Sequence, residues 1–136
     1  MTFQLHPQLA KDTAAICDLK LCRVLLMNNQ NFPWLILVPR QNGLREIFDL
    51  SEKDYLGVMQ EVRGVTKKMA SHLAADKMNV ATLGNMVPQL HIHVIARFTG
   101  DAAWPNPVWN AAPAAPYNSA ALQGRVQEWE SILAAN

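Results

Sequence analysis

The sequence predicts an α+β fold, an antiparallel sheet with one long helix and a C-terminal helix packed against it. Three observations carry this. Short apolar runs bounded by Asn, Gly and Pro recur along the chain, as strands and turns do. The stretch Leu50 to Leu73 keeps apolar side chains at spacings of three and four, as an amphipathic helix does. The strand candidates flank that helix in pairs, an order that closes most simply into an antiparallel sheet with helices on one face.

Residues 1–18 read as a polar lead-in in which Leu9, Ala14, Ala15 and Ile16 predict a short helix. Leu21 to Met27 is the first strand, and Trp34 to Val38, closed by Pro39, is the second. Between them Asn28-Asn29-Gln30-Asn31 is a turn, because Asn tolerates left-handed backbone and bonds locally. In the long helix, Ser51 followed by Asp54 resembles a capping box. Tyr55, Met59, Val62, Val65, Met69 and Leu73 are its predicted core stripe. Met78 to Leu83 is the third strand, Gly84 to Pro88 a tight connection, and Gln89 to Arg97 the fourth strand. The Trp- and Pro-rich stretch from Thr99 to Asn118 can be neither helix nor central strand. Trp104 and Trp109 would be wasted in a free linker, so it is expected to pack on the body. Ser119 to Ala134 returns to helical spacing through Leu122, Val126, Trp129 and Leu133.

At 136 residues the chain reads as one domain, 1–136, with its core at about 21–97 and a peripheral part at 99–136. Half of its residues are apolar, which places it among globular proteins. Twelve Lys and Arg against eleven Asp and Glu leave no basic footprint for general nucleic-acid binding. Two cysteines, Cys17 and Cys22, make neither a disulfide framework nor a zinc site and read as reduced thiols. No apolar run is long enough to span a bilayer, and the N-terminus lacks the pattern of a signal peptide. A cytoplasmic protein is the expectation.

The most informative stretch is Gln89-Leu90-His91-Ile92-His93-Val94-Ile95. Strict alternation sends Leu90, Ile92 and Val94 into a core. Gln89, His91 and His93 then form a row on the opposite face, with neighbours roughly 6–7 Å apart. Arg97 falls on that face by parity and is expected at the solvent. His6 and His72 are isolated and read as surface residues. A row of two imidazoles and an amide can donate hydrogen bonds, attack an electrophile or bind a metal.

The row is similar to the histidine triad (HIT) motif, in which three His alternate with apolar residues and two apolar residues follow. Leu37-Val38-Pro39-Arg40, the acid-capped helix and the Gly84-Asn85 connection also resemble the family plan, over roughly Leu21 to Arg97. There are two departures. Gln89 stands in place of the first His, and Pro33-Trp34 stands where many members have a Gly/Thr-His pair.

The resemblance implies a HIT-like, homodimeric fold that acts on a nucleotide α-phosphate, either a dinucleoside polyphosphate or an AMP conjugate. It makes His91 the nucleophile of a covalent nucleotidyl-histidine intermediate and His93 the donor to phosphate oxygens. Gln89 and Asn85 would serve as phosphate contacts and Asn28 as a ribose contact. The chemistry suits imidazole, whose free pKa of about 6.5 leaves it mostly neutral at pH 7. Its second ring nitrogen must donate to a fixed acceptor so that the attacking nitrogen keeps its lone pair. Trp34 cannot accept a hydrogen bond and is expected to pack. No cofactor or protein-held metal is expected, and the partners are a purine nucleotide or AMP conjugate and a second copy of the chain, not nucleic acid or membrane. Two rivals remain: a nucleotide-binding module with little turnover, and a His-X-His metal site that lacks an evident third ligand.

Overall fold

The computed structural model describes residues 2–135. Helix α1 (Pro7–Asp12) leads into strand β1 (Thr13–Asp18), followed by β2 (Cys22–Met27) and β3 (Trp34–Pro39). A short 3₁₀ turn (Ile47–Asp49) precedes α2 (Glu52–Leu73), then come β4 (Lys77–Ala81), β5 (Ile92–Arg97) and α3 (Ser119–Ala134). The five strands form one antiparallel sheet in the order β1-β2-β3-β5-β4. This is the α+β plan predicted, with one more strand.

The extra strand is β1, where a helix was expected to include Ala14, Ala15 and Ile16. Its pairing with β2 shifts register between Ala15 and Cys17, which makes Ile16 the surplus residue of a bulge and turns it into the core. The bulge erases the period-two pattern by which a strand is recognised. The helix lies just upstream, with Pro7 in its first turn, where a missing N–H costs nothing.

Helix α2 starts as predicted, with Ser51 Oγ accepting from the Asp54 N–H at 3.1 Å. It ends on Ala74 in the left-handed region, φ 51°. Its buried stripe is Val58, Val62, Val65 and Met69, whereas Tyr55 is 38% exposed. The true face is therefore rotated toward Val58 at the N-terminal end. Helix α3 has the predicted bounds, with Asn118 as its cap and Trp129 and Leu133 buried. Strand β4 begins one residue early and stops at Ala81. Strand β5 begins at Ile92 rather than Gln89, because the Leu90 N–H leaves the ladder to donate to the Leu44 carbonyl at 2.9 Å.

Each face of the sheet builds its own core. Val24, Leu26, Leu35, Leu37, Leu90, Ile92, Val94 and Ala96 face α2 and α3. The opposite face, which carries the histidines, is covered by other parts of the same chain. Leu25, Trp34, Ile36, Val38 and Ile95 are covered there by Leu9 of α1 and by Ala103 and Val108, with Phe3, Leu5 and Trp109 packed alongside. The Trp/Pro-rich segment thus packs on the body, as its tryptophans foretold. The Asn turn holds its far end: Asn31 Nδ2 donates to the Pro113 carbonyl at 2.9 Å, and Asn28 Oδ1 accepts from the Tyr117 N–H at 2.8 Å.

Candidate functional site

Parity along β5 and the residues before it places His91, His93 and Arg97 on one face, opposite Leu90, Ile92 and Val94. Both imidazoles are 5% exposed, since the N-terminal and Trp/Pro-rich segments lie over this face. Their ring centroids are 4.9 Å apart and the rings are close to perpendicular.

His91 Nδ1 lies 2.6 Å from the Gln89 carbonyl oxygen. A carbonyl only accepts, so Nδ1 carries the proton and the lone pair of the neutral ring is on Nε2. Among the described residues no buried side-chain nitrogen or oxygen lacks a hydrogen-bond partner. His91 Nε2 has none among them, so this atom is not wholly enclosed, although the residue as a whole is buried. A lone pair on a ring nitrogen whose tautomer is fixed is what nucleophilic attack requires.

His93 is held differently. Its Nδ1 accepts from the Trp34 indole N–H at 2.9 Å. Burial first, and the neighbouring His91 second, push its pKa down to about 3, so the ring is neutral at pH 7. Trp34 was expected only to pack; it packs and also donates. The signal was available in part, since Trp34 shares the face of Ile36, which pairs with His93.

Gln89 differs from expectation. Its Oε1 accepts from the His6 N–H at 2.8 Å and its Nε2 donates to the Gln4 carbonyl at 2.9 Å. The amide clasps the N-terminal segment instead of standing free for phosphate, and the residue serves His91 through its backbone carbonyl. Asn42 holds the same segment by accepting from the Gln4 N–H and donating to the Thr2 carbonyl. His6 is therefore no idle surface residue: its Nδ1 caps α1 by accepting from the Gln8 N–H. His72 is exposed and pairs with Glu128 at 2.9 Å.

Asn85 is exposed in the connection before β5, with no side-chain hydrogen bond among the described residues. Asn28 is not brought to the row. Extending the β2–β3 and β3–β5 registers puts it about five residues, or about 16 Å, along the sheet from His91. Arg97 is not at the solvent: its side chain is 2% exposed and pairs with Asp101, Nε to Oδ2 at 2.8 Å.

An open hollow of about 360 Å³ lies beside Gln89, lined by His6, Gly43, Leu44, Arg45, Pro88 and Gln89. A larger one of about 830 Å³ lies on the helix side between Lys20, Leu21 and the start of α2, and no histidine lines it. The larger hollow and the histidine row therefore lie apart. Among the described residues no group of three His, Cys, Asp or Glu is placed to hold a metal ion, so the His-X-His reading gains no third ligand. No helix among them is long and apolar enough to cross a membrane.

Comparison with known proteins agrees with this fold. The HIT domain family model matches residues 8–100. A solved histidine triad protein from Marinobacter aquaeolei is 44% identical, with a TM-score of 0.94 over 98% of this chain and 97% of that one. Others from Bradyrhizobium japonicum and Sinorhizobium meliloti are 42% and 37% identical, both with a TM-score of 0.89, covering 93% and 97% of this chain and 95% of each of theirs. No curated protein matches the chain. HIT proteins are in general nucleotide-binding hydrolases and transferases, and some are not catalytic. The chain, with Gln89-Leu-His91-Ile-His93 laid along its central sheet, belongs to the histidine triad family.

Proposed function

We propose that the protein cleaves a nucleotidyl phosphoanhydride or phosphoramidate, such as a dinucleoside polyphosphate or an AMP conjugate, at the α-phosphate. His91 Nε2 attacks phosphorus and forms an Nε2–P bond while the bond to the leaving group breaks. Water then attacks the nucleotidyl-histidine, releasing a nucleoside monophosphate and restoring the ring. The observation that carries this reading is the 2.6 Å contact of His91 Nδ1 with the Gln89 carbonyl, which leaves the lone pair on Nε2. His93 supports it as a neutral donor to the non-bridging oxygens, whose charge grows in the transition state. Asn85 is free to meet phosphate or leaving group. Gln89 contributes by position. Asn28, engaged with Tyr117, is no longer favoured as a ribose contact within the same chain.

The test is incubation with a panel of AMP-linked compounds, alkaline quenching and peptide mapping. An acid-labile nucleotidyl adduct on His91 is expected with the preferred substrate. Turnover with no adduct under rapid quench, or an adduct on another residue, would overturn the mechanism.

The homodimer belongs to the same proposal. Strand β4 is a sheet edge, and Val80 on it, 48% exposed, borders a groove with Met59 and Val62 of α2. A second copy would cover this apolar edge. Light scattering should give about twice 15.2 kDa, and Val80→Lys should shift the mass toward the monomer. A wild-type monomer at all concentrations rules the dimer out.

A further inference from the structure

His93 is enclosed by two tryptophans that come from distant parts of the chain. Trp34 sits on β3, diagonal to His93 across the ladder, because His93 pairs with Ile36 and Trp34 pairs with Ile95. Its ring is 5.6 Å from the imidazole at an interplanar angle of 62°. Trp109, from the segment after β5, stands edge-on to the same imidazole at 5.1 Å and 80°. The two indoles also touch, with centroids 5.7 Å apart. Trp34 is 5% exposed, so its N–H has no water to turn to and its hydrogen bond to His93 Nδ1 is buried.

An indole nitrogen donates and never accepts. Nδ1 of His93 is therefore an acceptor, and the one proton of the neutral ring is on Nε2. The partner of His91 imposes the opposite arrangement, with the proton on Nδ1. Two residues of the same type, one apart in the row, thus present opposite faces at Nε2: a lone pair on His91 and an N–H on His93. Residue type does not distinguish them. A backbone carbonyl does so for the first and an indole for the second.

We propose that Trp34 is a positioning residue that fixes His93 as a neutral Nε2–H donor. What the donor serves, a phosphoryl oxygen beside His91, rests on the nucleotidyl-transfer reading above. The tautomer does not.

The arrangement also bars His93 from acid–base work. Protonating it would put a hydrogen on Nδ1, face to face with the indole N–H, at the loss of the bond. Among the described residues the one titratable group against it is His91, on its own stretch of chain. Among the same residues, β3 sets Ile36 and Trp34 against it, β4 sets Ala81 beside it and the covering segment adds Trp109, all uncharged. Arg97 and Asp101, further along the same face, are bound to each other. His93 therefore offers a hydrogen bond of constant strength across the neutral range, and a proton for the departing group comes from solvent or substrate.

The test is nitrogen NMR on the full chain labelled at His and Trp. Long-range ¹H–¹⁵N spectra should show His93 as the Nε2–H tautomer and His91 as the Nδ1–H tautomer. His93 should stay unprotonated from pH 8 down to pH 5. A ¹⁵N–¹⁵N coupling across the hydrogen bond should join Trp34 Nε1 to His93 Nδ1. Trp34→Phe keeps a ring and removes the donor. In it, His93 should populate both tautomers and take up a proton at a higher pH. If the chain turns nucleotides over, kcat should fall about tenfold with KM little changed, and the pH profile should gain an acid limb. A wild-type His93 in the Nδ1–H form, or one that titrates near pH 6.5, overturns the proposal, as does an unchanged tautomer in Trp34→Phe. Should that variant not fold, the wild-type spectrum and coupling decide alone. A chain with the expected spectrum and no turnover of any substrate overturns the catalytic reading and leaves the role of Trp34 standing.

Discussion

His91→Ala should lower kcat for AMP-linked substrates by about 10³-fold or more while nucleotide affinity changes only a fewfold. The size follows from what is removed. In the proposed mechanism the ring supplies the attacking atom, and nothing else in the row can replace it: His93 presents a hydrogen at the equivalent nitrogen, and both ends of the Gln89 amide are engaged with Gln4 and His6. Affinity should persist because, in the proposed mechanism, the remaining donors still meet the phosphate. Single-turnover kinetics and equilibrium nucleotide binding separate the two effects, with circular dichroism to confirm that the variant is folded. Turnover that survives the substitution removes His91 from the role of nucleophile. Nucleotide binding without turnover in the wild type itself makes the chain a binding module.

The second large effect is on stability, at Arg97. This guanidinium is inside the protein, 2% exposed. It donates to Asp101 through Nε and Nη2, to Asn79 Oδ1 through Nη1 at 2.9 Å, and to the Asn106 carbonyl through Nη2 at 2.8 Å. Phe32 and Trp104 lie against it at 5.6 and 5.8 Å. Asp101 in turn accepts from the backbone N–H groups of Phe98, Ala103 and Trp104. The pair therefore pins the start of the segment that covers the histidines.

Asp101→Asn leaves the buried cation without its counter-charge and should cost about 3–5 kcal/mol in chemical denaturation at pH 7. Arg97 beside Asp101, with help from those backbone donors, holds the carboxyl well below the usual carboxylate range. A carboxyl lowered on folding stabilises the protein above its unfolded pKa of about 4, and that stability is lost as pH falls further. His93 acts over a different window. Its folded pKa is depressed to about 3, so between about pH 6.5 and pH 3 the unfolded chain binds a proton that the folded ring refuses, and stability declines. The Asn variant should therefore lose only the added steepness below about pH 4 and keep the His93 slope between about pH 6.5 and 3. A loss under 1 kcal/mol, or an unchanged acid slope, would show that the pair is not what holds the segment.

What the sequence made legible was whatever depends on local periodicity. Helix α3 was readable to the residue because Leu122, Val126, Trp129 and Leu133 repeat cleanly between a capping Asn118 and the end. The histidine row was readable because alternation assigns faces before any partner strand is known. Ile16 was not, since a bulge breaks the alternation it would have belonged to. The covered histidine face was not, since Ala103, Val108 and Trp109 lie in a segment without period, held by Arg97 and the Asn turn rather than by pattern. The partners of the rings divide the same way. The Gln89 carbonyl is two residues from His91 and could be anticipated. The Trp34 indole is 59 residues from His93 and needs the β3–β5 pairing, which no local signal announces.

All six residues of β3 are buried, between a near neighbour, β2, and a remote one, β5. Closing the chain from Leu37 to Ile92 is the slow, entropically expensive contact of this topology. Until it closes, His93 has no indole beside it and the two imidazoles are alike. A slip of one position there would turn Leu90 and Ile92 outward in their place. Under the proposed mechanism, reactivity at this site would therefore also certify correct threading: a chain competent for chemistry would be one that has aligned β3 with the remote β5.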